Sequence, residues 1–320
     1  MQKNSIEELE AILSTEGSTR LRLETLVQLQ QLIFTKDFPR SAAVCREIIS
    51  LADALNDTFI MAEAHNDLGN ALWKLGELSE SQHHYTIGLE LFTELQDDNG
   101  LGDAYCGLGI VHGSLVDSAN ALHFFELAAA AFKRANNLSN YAHNIGNIGH
   151  VYFELGDHTT ANTYFERAIA ISMEQGDKGK QGVANMLGAI AGVLVFQNRF
   201  EEGIEKLEQA MVIDREIGSS RGVTVNLMNI GLTYFKAGQH ANAIAYLNRS
   251  LAYADKTHLG MFTPEIHKNL SEVYYAINDE AEALKHLQFY TDFQKAEKRS
   301  EAQRRAKEIL GKNNYAKVPR

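Results

Sequence analysis

Residues 145–161 read IGNIGHVYFELGDHTTA, and the same chain holds four counterparts: HNDLGNALWKLGELSES at 65–81, YCGLGIVHGSLVDSANA at 105–121, LMNIGLTYFKAGQHANA at 227–243 and HKNLSEVYYAINDEAEA at 267–283. The five align without internal gaps on Gly69, Gly109, Gly149, Gly231 and Ser271, and further copies fit at Ala191 and, more divergently, at Leu29. The anchor spacings are 40, 40, 40, 42, 40 and 40 residues, so seven units fill the chain from about Arg20 to Glu297. A period of this size marks a repeat array and overrides any domain count made from length.

Each column of the alignment has a physical reading. The anchor is Gly, Ala or Ser in six of seven units, as expected where two helices approach too closely for a larger side chain. Twelve residues later a second small column runs Ser41, Ser81, Ala121, Ala161, Gly203, Ala243 and Ala283. Bulky residues precede the anchor (Leu68, Leu108, Ile148, Ile190, Ile230, Leu270) and recur sixteen after it (Tyr85, Phe125, Phe165, Leu207, Leu247, Leu287). They read as knobs filling the space between tightly packed helical hairpins. Seven after the anchor stand Gly76, Gly156, Asn198, Gly238 and Asn278, types that accept the left-handed conformation ending a helix; Val116 breaks the pattern. Thr263, Pro264 and Glu265 read as N-cap, N1 and N2 of the last unit's first helix.

Composition agrees with an all-α chain. Of 320 residues 45% are apolar and only three are proline, with a net charge of −11 that argues against gripping phosphate backbones. The charge is uneven: Gln294 to Arg320 holds nine Lys/Arg and three Glu, leaving about −17 on residues 1–293. Cys45 and Cys106 have no CxxC partner and read as thiols of a reducing compartment. The N-terminal MQKNSIEELEAIL has acids where a signal peptide needs bases, and the uncharged run Gln181 to Asn198 carries a dense apolar part of only about a dozen residues. It reads as a buried helix rather than a membrane span.

These columns resemble the tetratricopeptide repeat (TPR), over nearly 90% of the chain. AEAHNDLGNALWKLGE and YAHNIGNIGHVYFELGD are similar to the long-repeat subclass of LGN/Pins-type adaptors, kinesin light chains and bacterial sensory proteins; the period here is 40 rather than 34 residues and the usual late proline is missing. The resemblance implies a right-handed superhelical solenoid of about seven helical hairpins plus a C-terminal capping helix. Residues 1–19 are expected to form an N-terminal helical cap, 20–297 the array, and 298–320 a basic helical extension and tail. The apolar side chains of 280–296 are expected to close the seventh hairpin.

In this family the first helix of each hairpin lines a concave groove, with ligand-facing positions six and three before the anchor and one, four and five after it. Carried onto this chain, the partner-binding candidates are Asn66, Asn70, Trp73, His143, His150, Phe153, Asn185, Val195, Phe196, Met228, Leu232, Phe235 and Tyr275. The groove grades from polar, with acidic Glu63 and Asp103 beside the asparagines, to apolar in units five and six. The competing reading of the apolar positions is packing between neighbouring first helices. The basic clamp that chaperone-binding repeats use on a C-terminal carboxylate is absent.

Searching for chemistry returns little. There is no HExxH and no CxxC, and the glycines fall at helix contacts and caps rather than in a phosphate-cradling loop. His143 and His150 lie seven apart on one helix face and would need a third ligand such as Glu154 to hold a metal. No catalytic residue, metal or cofactor is therefore expected, and nucleic acid is not an expected partner. The expectation is a cytoplasmic, non-enzymatic scaffold binding a protein or peptide segment in its groove, in signalling regulation. The alternative is a ligand- or peptide-sensing module of a bacterial signalling system whose output domain lies elsewhere. Identity of the partner and oligomeric state leave no mark on these patterns.

Overall fold

The computed structural model describes residues 5–15 and 17–315, apart from the side chains of Glu297 and of residues 300–315. Among them are fifteen α-helices, two short 3-10 turns and no strand. A leading helix, α1 (Ile6–Leu13), precedes seven hairpins: α2 (Thr19–Ile33) with α3 (Phe38–Ala54), α4 (Thr58–Lys74) with α5 (Leu78–Leu95), α6 (Asp98–Ser114) with α7 (Ser118–Arg134), and α8 (Leu138–Glu154) with α9 (His158–Met173). Then come α10 (Lys180–Phe196) with α11 (Phe200–Glu216), α12 (Ser220–Lys236) with α13 (His240–Lys256), and α14 (Thr263–Ala276) with α15 (Glu280–Tyr315).

The packing follows the columns. The glycine anchors lie on the first helices of their hairpins and meet the knobs sixteen residues on. A Cβ at Gly109 or Gly149 would stand 2.7 Å from the ring of Phe125 or Phe165, and one at Gly231 2.8 Å from Leu247. No larger side chain fits there without moving a buried ring or its backbone. The second small column closes the same contact, with the Ser81 hydroxyl donating to the Gly69 carbonyl at 2.7 Å. Tyr85, Phe92, Phe132 and Phe165 are fully buried as a result.

The turns are as regular as the helices. Gly76, Gly156, Gly238, Asn198 and Asn278 have the expected positive φ, and Val116 adopts it too, at 60°. A second left-handed series, Asn56, Gln96, Asn136, Gly218 and His258, ends the second helix of five hairpins. The residue after it commonly caps the next helix: the side chains of Asp57, Asp97 and Asn137 accept backbone N–H groups of α4, α6 and α8. At the last hairpin the expected capping is displaced by one residue. A 3-10 turn over Gly260–Phe262 feeds α14 directly, so Phe262 is the N-cap and Thr263–Pro264 open the helix.

The chain divides into two compact units, Met1–Gly182 and Val183–Arg320. In the first, Leu9 of α1 is buried with Leu23, Leu26, Leu29 and Ile33 of α2 and Val44 and Ile48 of α3. In the second, Leu207 and Met211 of α11 meet Val223, Leu227 and Ile230 of α12, and Leu247 of α13 meets Ile266, Leu270 and Val273 of α14. Gly176–Phe196, among the described residues, is long and apolar enough to cross a membrane. Within the array it is the first helix of a hairpin, with Ala184, Met186, Ile190, Ala191, Val193 and Leu194 buried.

Helix α15 runs 36 residues without a break. Ala283 and His286 are buried, but Leu284, Leu287, Phe289 and Phe293 are all exposed, so the expected closure of the seventh hairpin by this apolar face is not what the structure shows. Of the basic extension at 298–320, the backbone is helical to Tyr315. Its side chains from residue 300 on, and residues 316–320 altogether, lie outside the described residues.

One pairing repeats at equivalent columns. His65 and His84 face each other with their Nδ1 atoms 2.9 Å apart, and His267 and His286 do the same at 2.6 Å. These positions are four before and fifteen after the anchor in units two and seven. In unit three the same columns hold stacked Tyr105 and Phe124. An imidazole pair so close shares a single proton, and burial holds His65 down to about 4, with the neighbouring imidazoles adding to the shift.

Candidate functional site

The first helices of the first three units, α2, α4 and α6, enclose a cavity of about 790 Å³ lying wholly within the first unit. Its size falls in the roughly 300–1,000 Å³ range of ligand sites. The rows that build it follow from helical spacing. Glu63, Asp67 and Asn70 recur at intervals of four and three on α4, while Asp103, Cys106 and Ile110 do so on α6. Gln30 and Gln31 come from α2, Phe59 from the start of α4, and Tyr85 and Phe92 reach in from α5.

Polar groups converge without a counter-charge. Four carboxylates, those of Glu63, Asp67, Asp97 and Asp103, line the cavity, and no Lys, Arg or His does. Burial pushes Asp67 up to about 6, against a hydrogen bond from Gln30 that works the other way. Burial also raises Asp103 to about 6, helped by the charges of Asp97, Asp67 and Glu63. Glu63 is raised by burial and then by Asp67, Asp97 and Asp57. Gln30 is 3% exposed; its Nε2 donates to Ser41 Oγ at 2.9 Å and to Asp67 Oδ2 at 3.2 Å, and its Oε1 accepts nothing. The Asn66 Nδ2 donates to the Gly100 carbonyl at 3.4 Å.

Of the sequence candidates, only Asn66 and Asn70 line this cavity. Trp73 is half-buried, its Nε1 donating to Ser114 Oγ at 2.9 Å with the Lys74 ammonium 4.0 Å above the ring. His143 and His150 are exposed on α8, His150 edge-on to Phe165, and Phe153 is half-buried beside His158. The remaining candidates belong to the second unit. Asn185, Phe196 and Tyr275 are exposed, the last two at 63% and 74%. Val195 packs toward Gly203, Leu232 is half-buried, and Met228 and Phe235 pack against the α13–α14 core. Two of the apolar candidates thus serve as filling between neighbouring helices.

Asp67, Gln30 and Asp97 escaped the sequence reading. Asp67 stands two before the anchor, a position outside the family's ligand-facing set. Its column held a signal: three other units carry an asparagine there, Asn147, Asn229 and Asn269, and only this one carries a carboxylate.

A stack of small-anchored helical hairpins with a polar groove defines a repeat scaffold, and comparison with known proteins agrees. Residues 139–216 and 223–296 match the tetratricopeptide-repeat family model, and the chain has the all-α, helical-solenoid fold of such repeats. No curated protein matches the sequence. Among solved structures, a Rap protein complexed with competence and sporulation factor is 14% identical, with a TM-score of 0.68 over 91% of this chain and 79% of its own. The Rap conjugation gene regulator of the plasmid pLS20, in complex with the Phr* peptide, is 17% identical, with a TM-score of 0.62 over 86% and 75%. The apo form of RapI is 12% identical, with a TM-score of 0.63 over 87% and 99%. At these identities the likeness is one of fold.

Proposed function

We propose that this chain is a cytoplasmic, non-enzymatic scaffold of the long-repeat TPR kind that binds a short peptide segment against its first helices and thereby regulates a signalling partner. The observation that carries this reading is the cavity between α2, α4 and α6, which is large enough for several residues of extended chain and lined by side-chain amides able to hold a peptide backbone. Two of the similar structures are named as complexes with competence and sporulation factor and with the Phr* peptide, which favours a second, narrower reading: a sensor whose ligand is a free short peptide.

Purified chain titrated with a pentapeptide library, followed by calorimetry, tests the first reading. Saturable binding at one site per chain is expected, weakened at least tenfold by Asn70→Ala. Peptide binding that is indifferent to Asn70→Ala and to Glu63→Gln would place recognition elsewhere and sink the groove assignment. A stoichiometric protein in co-purification separates the adaptor from the sensor, which instead responds to free peptide alone.

A further inference from the structure

The acidic character of the cavity says more than its volume. Buried or half-buried carboxylates are normally matched by a cation or a hydrogen-bond set, because an unpaired charge out of water is costly. Here half-buried Asp67 and Asp97 and the exposed Glu63 and Asp103 share one cavity whose lining supplies no cation. Their mutual repulsion is visible in the upward shifts of Asp103 and Glu63, each raised by burial and then by the others. A second observation points the same way. Gln30, almost wholly buried on the lining, leaves its Oε1 without a donor, so a neutral acceptor stands beside the charged ones.

The shape of the acceptor set narrows the ligand. Among the described residues no three His, Cys, Asp or Glu side chains converge closely enough to hold one metal ion. The acceptors come instead from three helices around one cavity, which suits a donor with several spread N–H groups. Aromatic surface stands at the same place: Phe59 is 45% exposed on the rim, edge-on to the buried Phe92 at 6.2 Å. A planar cation lying on such a ring gains a cation–π contact that a small hydrated ion does not.

Resting on the peptide-binding reading above, we propose that this cavity is a cation-selective subsite that takes the side chain of an arginine, or less well a lysine, from a short basic peptide. The guanidinium bridges Asp67 and Asp103, donates to the free Gln30 carbonyl and stacks on Phe59. Asn66 and Asn70 hold the flanking peptide backbone. The ligand of this scaffold is therefore basic, opposite in charge to the acidic tails that the familiar carboxylate clamp of other repeats takes.

The test uses the full chain and three probes: a positional-scanning library of acetylated, amidated pentapeptides, a matched pair differing only in arginine against its neutral isostere citrulline, and spermidine. Expected are at least fivefold enrichment of Arg or Lys at one library position and at least tenfold tighter binding of the arginine peptide than of the citrulline one. That preference should vanish in Asp67→Asn/Asp103→Asn, and binding should weaken as salt rises from 50 to 500 mM. Should the double variant not fold, Asp103→Asn alone gives the same readout, with exposed Glu94→Gln on α5 as control. Arginine and citrulline peptides binding within twofold of each other would overturn the subsite while leaving peptide binding intact. Retention of no pentapeptide would overturn both readings. Spermidine binding that depends on Asp67 and Asp103, with no discrimination between the two peptides, would replace the peptide by a free polyamine.

Discussion

Val116 is the residue most at odds with its own backbone. Glycines or asparagines hold the equivalent turn in five other hairpins, and glycine has no Cβ to clash there. Val116 takes the same left-handed geometry with a branched side chain 87% exposed, so it gains no packing to offset the strain. Val116→Gly should stabilise the protein by about 1 kcal/mol, read as a higher urea midpoint at unchanged slope. Asp67 gives a second expectation, with a pH signature. Its pKa is near 6 folded and 3.8 unfolded, so the folded state holds the proton more tightly. Stability tied to that proton is fully present below about pH 4 and is lost as pH rises towards 6. Asp67→Asn should therefore match the wild type near pH 4 and exceed it by about 2 kcal/mol above pH 6, in urea titrations across the range. His65 acts oppositely: neutral when folded, it costs stability as pH falls from 6.5 towards 4. At this scale the sequence was half legible. The left-handed glycines announced themselves, whereas Gln96 and His258 take the same conformation without a composition that signals it, and Asp67 showed only as a carboxylate in an asparagine column.

At the scale of elements the columns foretold which helices pair and which faces touch. Small residues at two fixed positions and a bulky one sixteen after the anchor admit one close packing, and Gly109 against Phe125 is that packing. Less legible was which groove positions stay open. A rule that selects four and five after the anchor cannot tell a free side chain from one covered by the next hairpin, because that depends on the neighbour's bulk. Phe235 and Phe196 illustrate the two cases. Phe235 packs against the α13–α14 core while Phe196, at the end of α10, is 63% exposed. Phe235→Ala should lower stability by about 2 kcal/mol in chemical denaturation, and Phe196→Ala by less than about 0.5 kcal/mol. If Phe196 is a contact residue, its loss appears instead as a weakening of partner affinity by more than about 1 kcal/mol.

The whole molecule is governed by one metre: most helices have 17 residues and most turns three, so kind alternates every twenty and repeats every forty. The single departure is the spacing of 42 between Gly149 and Ala191. The 3-10 turn over Gly176–Gly179 absorbs the difference, close to the Gly182–Val183 division into two units. Apart from those two extra residues nothing in the repeat columns marks that division, since the residue types run through it unchanged. The metre also gives the chain a parity. Removing residues 77–116 joins left-handed Gly76 to the N-cap Asp117 and sets a first helix, α4, before a second, α7, with Gly69 now meeting Phe125 in the place of Tyr85. Removing 77–96 alone sets two first helices in succession and leaves Gly69 without its knob, Tyr85. The forty-residue deletion should keep the oligomeric state of the full chain, with a proportionate helical signal in circular dichroism and a lower melting temperature, as expected of nearest-neighbour stacking. The twenty-residue deletion should aggregate. Length in this protein is thus quantised: a change by an even number of helices is an edit, and a change by an odd number is a frameshift of the fold.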